Sequence, residues 1–174
     1  MVAGFIPTFL EKTLNYHADS AMLVTMIAAL MYFITAPLWG MLSDKIGRKK
    51  VLLTSCIMIG VLIFPAFIII TSPGSSMTIV TLCLVILMLF ISAATATFVV
   101  TINELFPTHL RFSGVATGYN MSNALLGGTV PLISGLLVMY FGNVAPSIYA
   151  VIASIIIVII IFKMPETKGI NLEI

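Results

Sequence analysis

The chain is 174 residues long, 60% hydrophobic and only 8% charged, with a formal net charge of +2. A mean hydropathy of +1.20 leaves too little polar surface for a water-soluble domain of this size and assigns the chain to a lipid bilayer. The net charge carries little information on its own and no nucleic-acid partner is expected; the N-terminus lacks the pattern of a cleavable signal peptide, so insertion is expected to use the apolar runs themselves.

A helix of about 20 apolar residues crosses a hydrocarbon core of ~30 Å, and only helices or closed barrels satisfy their backbone there. Residues 2–10 are apolar but reach only about half that length, and read as the end of a helix. Full-length runs follow at 20–41, 51–71, 77–102, 113–141 and 146–162. None alternates apolar with polar residues, so an all-α polytopic bundle is expected rather than a barrel. Pro73-Gly74, Pro107, Gly142-Asn143 and Pro165 fall between or just beyond the runs, where helices end. The short linkers predict antiparallel neighbours.

The eight basic residues test this topology. Lys45, Arg48, Lys49, Lys50, Arg111, Lys163 and Lys168 all follow odd-numbered runs and share one side, whereas Lys12 alone stands on the other, beside Glu11 and Asp19. Lys and Arg accumulate in short cytoplasmic loops, so the basic side, with a short tail at 163–174, is predicted to face the cytoplasm. Cys56 and Cys83 sit singly in apolar runs and read as small buried residues; no metal site or cofactor is expected.

Residues 40–50 pack four cations and one anion between two apolar runs. A topology anchor needs only the cations. Here Gly40 would let a helix end approach a neighbour, Asp44 can accept from Arg48 or a helix N-terminus, and Gly47 supplies a tight turn before Arg48, Lys49 and Lys50. A second constellation, Glu104 to Arg111, lies at the same side, where Glu104 and Arg111 can each pair with opposite charges near Asp44 and Arg48. In the fourth run Gly114, Gly118 and Ser122 recur every four residues, a spacing that lets helix backbones pack closely in lipid. Asn120 and Asn123 are costly in hydrocarbon unless they hydrogen-bond between helices or face a solute cavity, and Tyr32, Ser92, Thr95 and Thr97 are weaker candidates of the same kind. No Asp, Glu, Lys, Arg or His stands at mid-depth in any run.

The loop from Gly40 to Lys50, the Glu104–Arg111 connection, the stretch from Ser113 to Asn120 and the ending Pro165-Glu166-Thr167-Lys168-Gly169 together resemble the C-terminal half of a major facilitator superfamily transporter. Within it, the chain is most similar to the metabolite:proton symporters, the bacterial proline/betaine transporters in particular. The resemblance implies a single membrane domain over 1–174, with residues 2–10 as the end of helix seven and the five runs as helices eight to twelve of a twelve-helix carrier. It implies solute exchange between two rocking halves in a bacterial inner membrane, with the lipid bilayer and a small-molecule solute as partners; a gene fragment, one piece of a split carrier with a separately encoded N-terminal half, and a truncated reading frame stay open. Half a carrier lacks the facing wall of its cavity, so the chain is expected to be inactive alone. A sugar-type carrier half and a non-transporting protein acting by helix association are the alternatives. No nucleophile with a nearby base and no phosphate-cradling loop suggests an enzyme.

Overall fold

The computed structural model describes residues 2–14, 16–72, 74–106 and 108–168, and these are all-α. The helices are α1 (Val2–Lys12), α2 (Ala18–Ile46), α3 (Arg48–Thr71), α4 (Met77–Leu105), α5 (Thr108–Ser122), α6 (Gly128–Phe141) and α7 (Ala145–Lys163). One π-helical turn, Asn123–Gly127, joins α5 to α6. Five helical segments are long and apolar enough to cross a membrane: α2, α3, α4, Arg111–Phe141 and α7.

Each predicted run lies inside one of these segments, and the helices extend past the runs. The apolar stretch marks only the part embedded in hydrocarbon, whereas backbone hydrogen bonding carries the helix on into the polar interface. The largest correction concerns the loop expected over 40–50. Helix continues to Ile46 and resumes at Arg48, so the whole connection is Gly47, at φ 116. A residue with a Cβ rarely adopts that backbone, and one here would also lie 2.8 Å from the Glu166 carboxylate. The fourth run is not one regular helix but two α-helices offset by the π turn. Pro73, the helix stop at Pro107 and residues 169–174 of the predicted tail lie outside the described residues.

Helical periodicity builds the core. On α2 the buried residues Ala21, Val24, Ala28 and Thr35 fall on one stripe, and on α4 Val80, Leu84, Leu87, Met88 and Ser92 form the facing one. Ile63, Phe67 and Ile70 of α3 and Ile6, Phe9 and Leu10 of α1 close this cluster, with the Phe9 and Phe67 rings tilted at 5.7 Å. Two hydroxyl contacts stitch α2 to α4 beyond it: Thr35 Oγ1 to Ser92 Oγ at 2.7 Å, and Tyr32 Oη donating to Thr95 Oγ1 at 3.1 Å. At the end remote from Gly47, Tyr16 Oη donates to the Ser75 carbonyl at 2.9 Å and ties the α1–α2 linker to the α3–α4 turn. α3 and α7 meet where Gly60 faces Ser154; a Cβ at Gly60 would collide with the Ser154 hydroxyl. The close approach of α3 to α7 therefore rests on Gly60.

Candidate functional site

Antiparallel threading brings the C-terminal ends of α2, α4 and α7 to the N-terminal end of α3. Each such end leaves unpaired backbone groups, donors at N-termini and carbonyls at C-termini. Gly47, as the residue before α3, has no side chain to cap it. The cap comes from the far end of the chain. Glu166 Oε1 accepts from the backbone N–H of Arg48 at 2.9 Å, of Lys49 at 3.4 Å and of Lys168 at 3.2 Å. Burial alone would raise the Glu166 pKa, but the backbone N–H groups of Lys168, Lys49, Arg48 and Thr167 outweigh it and hold the carboxylate below its ordinary range.

The lysines serve the carbonyl ends. Lys49 Nζ donates to the carbonyls of Phe162 at 2.8 Å and Met164 at 2.7 Å, closing α7, and stands 5.6 Å over the Phe162 ring. Lys168 Nζ donates to the Lys45 carbonyl at the end of α2. Cations at helix C-termini and an anion at an N-terminus match the helix dipoles on every side.

Arg48 is the hub. Its guanidinium is buried and donates to four oxygens on three side chains: Asp44 Oδ1 one turn earlier, Ser43 Oγ at 2.8 Å, and both oxygens of Glu104 at 3.1–3.3 Å. Glu104 is in turn held by the buried Thr167, whose hydroxyl donates to Oε2 at 2.7 Å. One arginine thus joins the end of α2, the start of α3 and the end of α4, while residues 166–168 wrap over them. A planar fork with five donors suits this task; a lysine would not span it.

Asp44, Gly47, Arg48, Lys49 and Glu104 are all in this cluster. Arg111 is not. It donates through Nε to the Phe106 carbonyl at 3.3 Å, its Nη2 is buried without a partner, and it makes no ion pair among the described residues. The expected pairing of Arg111 with an acid fails because Arg48 already takes both acids and the α4–α5 turn holds Arg111 against its own backbone. Gly40 is also corrected: a Cβ there would meet nothing within 4 Å, and its contribution is a carbonyl that accepts from Ser43 at 2.8 Å.

The other predicted residues lie elsewhere. Gly114 faces the Phe106 ring, where a Cβ would come within 2.6 Å; Gly118 faces open space and Ser122 is exposed. Tyr32 spends its hydroxyl on Thr95. Asn120 is exposed, and Asn123 donates to the Tyr119 carbonyl at 3.1 Å. Among the described residues, Tyr32 is tied into the α2–α4 contact whereas Asn120 and Asn123 are exposed on the fourth span.

Ser43 and the capping role of Glu166, Thr167 and Lys168 are additions that the structure makes to the sequence-predicted set. The available signal was a short acid-hydroxyl-base run just past a span, on the side where a glycine-led helix begins uncapped. Among the described residues no group of three or more His, Cys, Asp or Glu could hold a metal ion.

A family profile described as the Major Facilitator Superfamily matches residues 1–171. The chain is 31% identical over 170 residues to the ectoine/proline transporter ProP of Corynebacterium glutamicum, covering 96% of this chain and 33% of that protein. It is 29% identical over 170 residues to the proline/betaine transporter of Escherichia coli, covering 97% and 33%. Against a putative proline/betaine transporter of Staphylococcus aureus it is 31% identical over 176 residues, covering 99% and 37%. The chain spans about a third of the length of these relatives.

Proposed function

Because the chain belongs to the Major Facilitator Superfamily, we propose that it forms the C-terminal half of a secondary carrier for a small solute, a proline- or betaine-like zwitterion or an organic acid. The observation that carries this is the alignment of nearly every residue with proteins named for ectoine, proline and betaine transport. On this reading α1 is the end of helix seven and the five spans are helices eight to twelve of one membrane domain. The membrane is a bacterial inner membrane. The Gly47 end, which gathers seven of the eight basic residues, faces the cytoplasm with the C-terminal tail.

The Arg48 cluster is then the cytoplasmic latch. Rocking of one half against the other needs each half to move as a body. Arg48, Glu104 and Glu166 make the cytoplasmic ends of α2, α3, α4 and α7 such a body, because each charge is satisfied across a helix boundary rather than within one helix. Asp44, exposed on the rim and bonded only from one side, is the member placed to exchange partners with a facing half. Tyr32, Asn120 and Asn123 contribute one wall of the solute cavity, and the row of Gly114, Gly118 and Ser122, open in this chain at Gly118 and Ser122, packs against a helix of the other half. No ionisable residue stands at mid-depth here, so the proton-coupling carboxylate belongs to that half. The chemistry is binding and release, without a cofactor.

Uptake of labelled proline and betaine by cells lacking their own carriers tests this. Cells expressing the chain with a separately encoded N-terminal half are expected to accumulate solute, and cells expressing the chain alone are not. Glu104→Gln is expected to slow uptake in the pair. Absence of accumulation by a correctly inserted pair would refute the carrier.

A further inference from the structure

Against the flank of the Arg48 cluster, where α3 meets the end of α7, lies a groove of about 460 Å³ that shares Gly47, Lys49, Glu166 and Lys168 with it. Lys49, Lys50 and Lys168 stand along it, and Ile46, Leu53 and Phe162 supply its apolar lining. Its single anion is Glu166, whose Oε1 is already filled by three backbone N–H groups. Three ammonium groups therefore face one committed carboxylate. The carbonyls that hold Lys49 and Lys168 orient those cations without neutralising them. Lys50 is exposed, and its ammonium has no hydrogen-bond partner among the described residues.

The apolar lining does not stop at the groove. Below Leu53 on α3, the helical spacing puts Ile57, Val61 and Phe64 on one stripe, all exposed; below Phe162 on α7, Ile159 and Ile155 form another. Two greasy rails thus run from a cationic mouth at the membrane surface into the hydrocarbon. Free phosphate would use the mouth alone. A molecule with an anionic head and long apolar tails uses both.

We propose that this groove seats the phosphodiester head of one anionic phospholipid from the leaflet at the Gly47 end, with its acyl chains lying along the α3 and α7 rails. The attraction of a basic pocket at the membrane surface for such a head is worth about a 5-fold change in occupancy per lysine. The site requires only that the five spans cross the bilayer, and it is independent of solute transport.

Native mass spectrometry of the full chain, released from mixed micelles holding equal amounts of dioleoylphosphatidylglycerol and dioleoylphosphatidylcholine, tests it. One phosphatidylglycerol is expected to be retained in preference to phosphatidylcholine. Lys50→Gln, which breaks no bond within the protein, should lower that preference about 5-fold, and Lys50→Gln with Lys168→Gln roughly 25-fold. Lys163→Gln makes the same change of charge outside the groove and should leave the preference intact. Equal retention of the two lipids, or an equal loss in Lys163→Gln, would overturn the site in favour of diffuse surface charge. Displacement of the lipid by inorganic phosphate at matching concentration would overturn the role of the rails.

Discussion

Two membrane-spanning segments of this protein are covered in different ways. In α4, 33% of the most apolar stretch is buried inside the chain, whereas in the segment Arg111–Phe141 only 6% is. α4 is the central strut: it packs on both α2 and α3, and its buried residues recur at helical spacing. The α5–α6 rod touches the rest of the chain lightly, and its large side chains, Phe112, Met121, Leu132 and Met139 among them, point outward. Hydropathy therefore says that a helix enters the membrane, but not what covers it there. For α4 the cover is this chain. For the rod, most of the cover comes from outside the described residues: Gly118 faces open space and Asn120 is exposed.

This contrast can be broken experimentally. Arg48→Ala should cost about 3 kcal/mol of unfolding free energy in detergent, since it leaves the partly buried Glu104 carboxylate without its cation and the buried Ser43 hydroxyl without the guanidinium donor. Arg111→Ala, which removes one bond to a local carbonyl, should cost under about 1 kcal/mol. Equal losses would mean that the rod is held as tightly as the packed helices. Next in size, Gly60→Leu should cost about 2 kcal/mol by wedging α3 from α7, whereas Gly118→Leu should be nearly neutral because its site is open. Both are read from thermal melts. Smaller still, Thr35→Val and Ser92→Ala should each cost about 0.6 kcal/mol, the usual worth of one hydroxyl bond between membrane helices. A matched Asn123→Ala change on the rod, whose amide bonds only its own helix, should cost less.

The last prediction is a pH dependence confined to the packed side. The Glu166 pKa is lowered by folding, so its stabilisation of the α3 cap is complete above the ordinary carboxylate range and is lost as pH falls through the depressed folded value. Amide exchange at Arg48 and Lys49, corrected for intrinsic rate, should accelerate on acidification over that interval. In Glu166→Gln the same amides should exchange faster at neutral pH and show no such step. A step of equal size in the variant would assign the titration to another group.

Much of the candidate site is legible in the amino-acid sequence. Asp44, Gly47, Arg48 and Glu104 stand out because charges and glycines are rare in so apolar a chain, and alternating spans require them to share one face. The ending at 165–168 was legible only as a resemblance, because its role depends on which helix end lies opposite. Arg111 misled for the same reason: sharing a membrane face permits a pairing but does not choose among competing cations. Gly60 escaped notice because one glycine in a uniform apolar run carries no pattern, and its importance lies wholly in the Ser154 that faces it.

What the amino-acid sequence determined alone is the set of spans, their alternation and the side that collects the cations. These follow from local rules, since a backbone in lipid must bond to itself and runs of apolar residues are contiguous in the chain. Only the tertiary structure decided that Arg48 takes Glu104 while Arg111 does not, that Glu166 caps a helix 118 residues away, and that α4 is covered while the α5–α6 rod is not. Those outcomes depend on which helix ends meet and on the few charges competing there, and contacts of that kind are set by packing across the bundle rather than by the order of residues along any one helix.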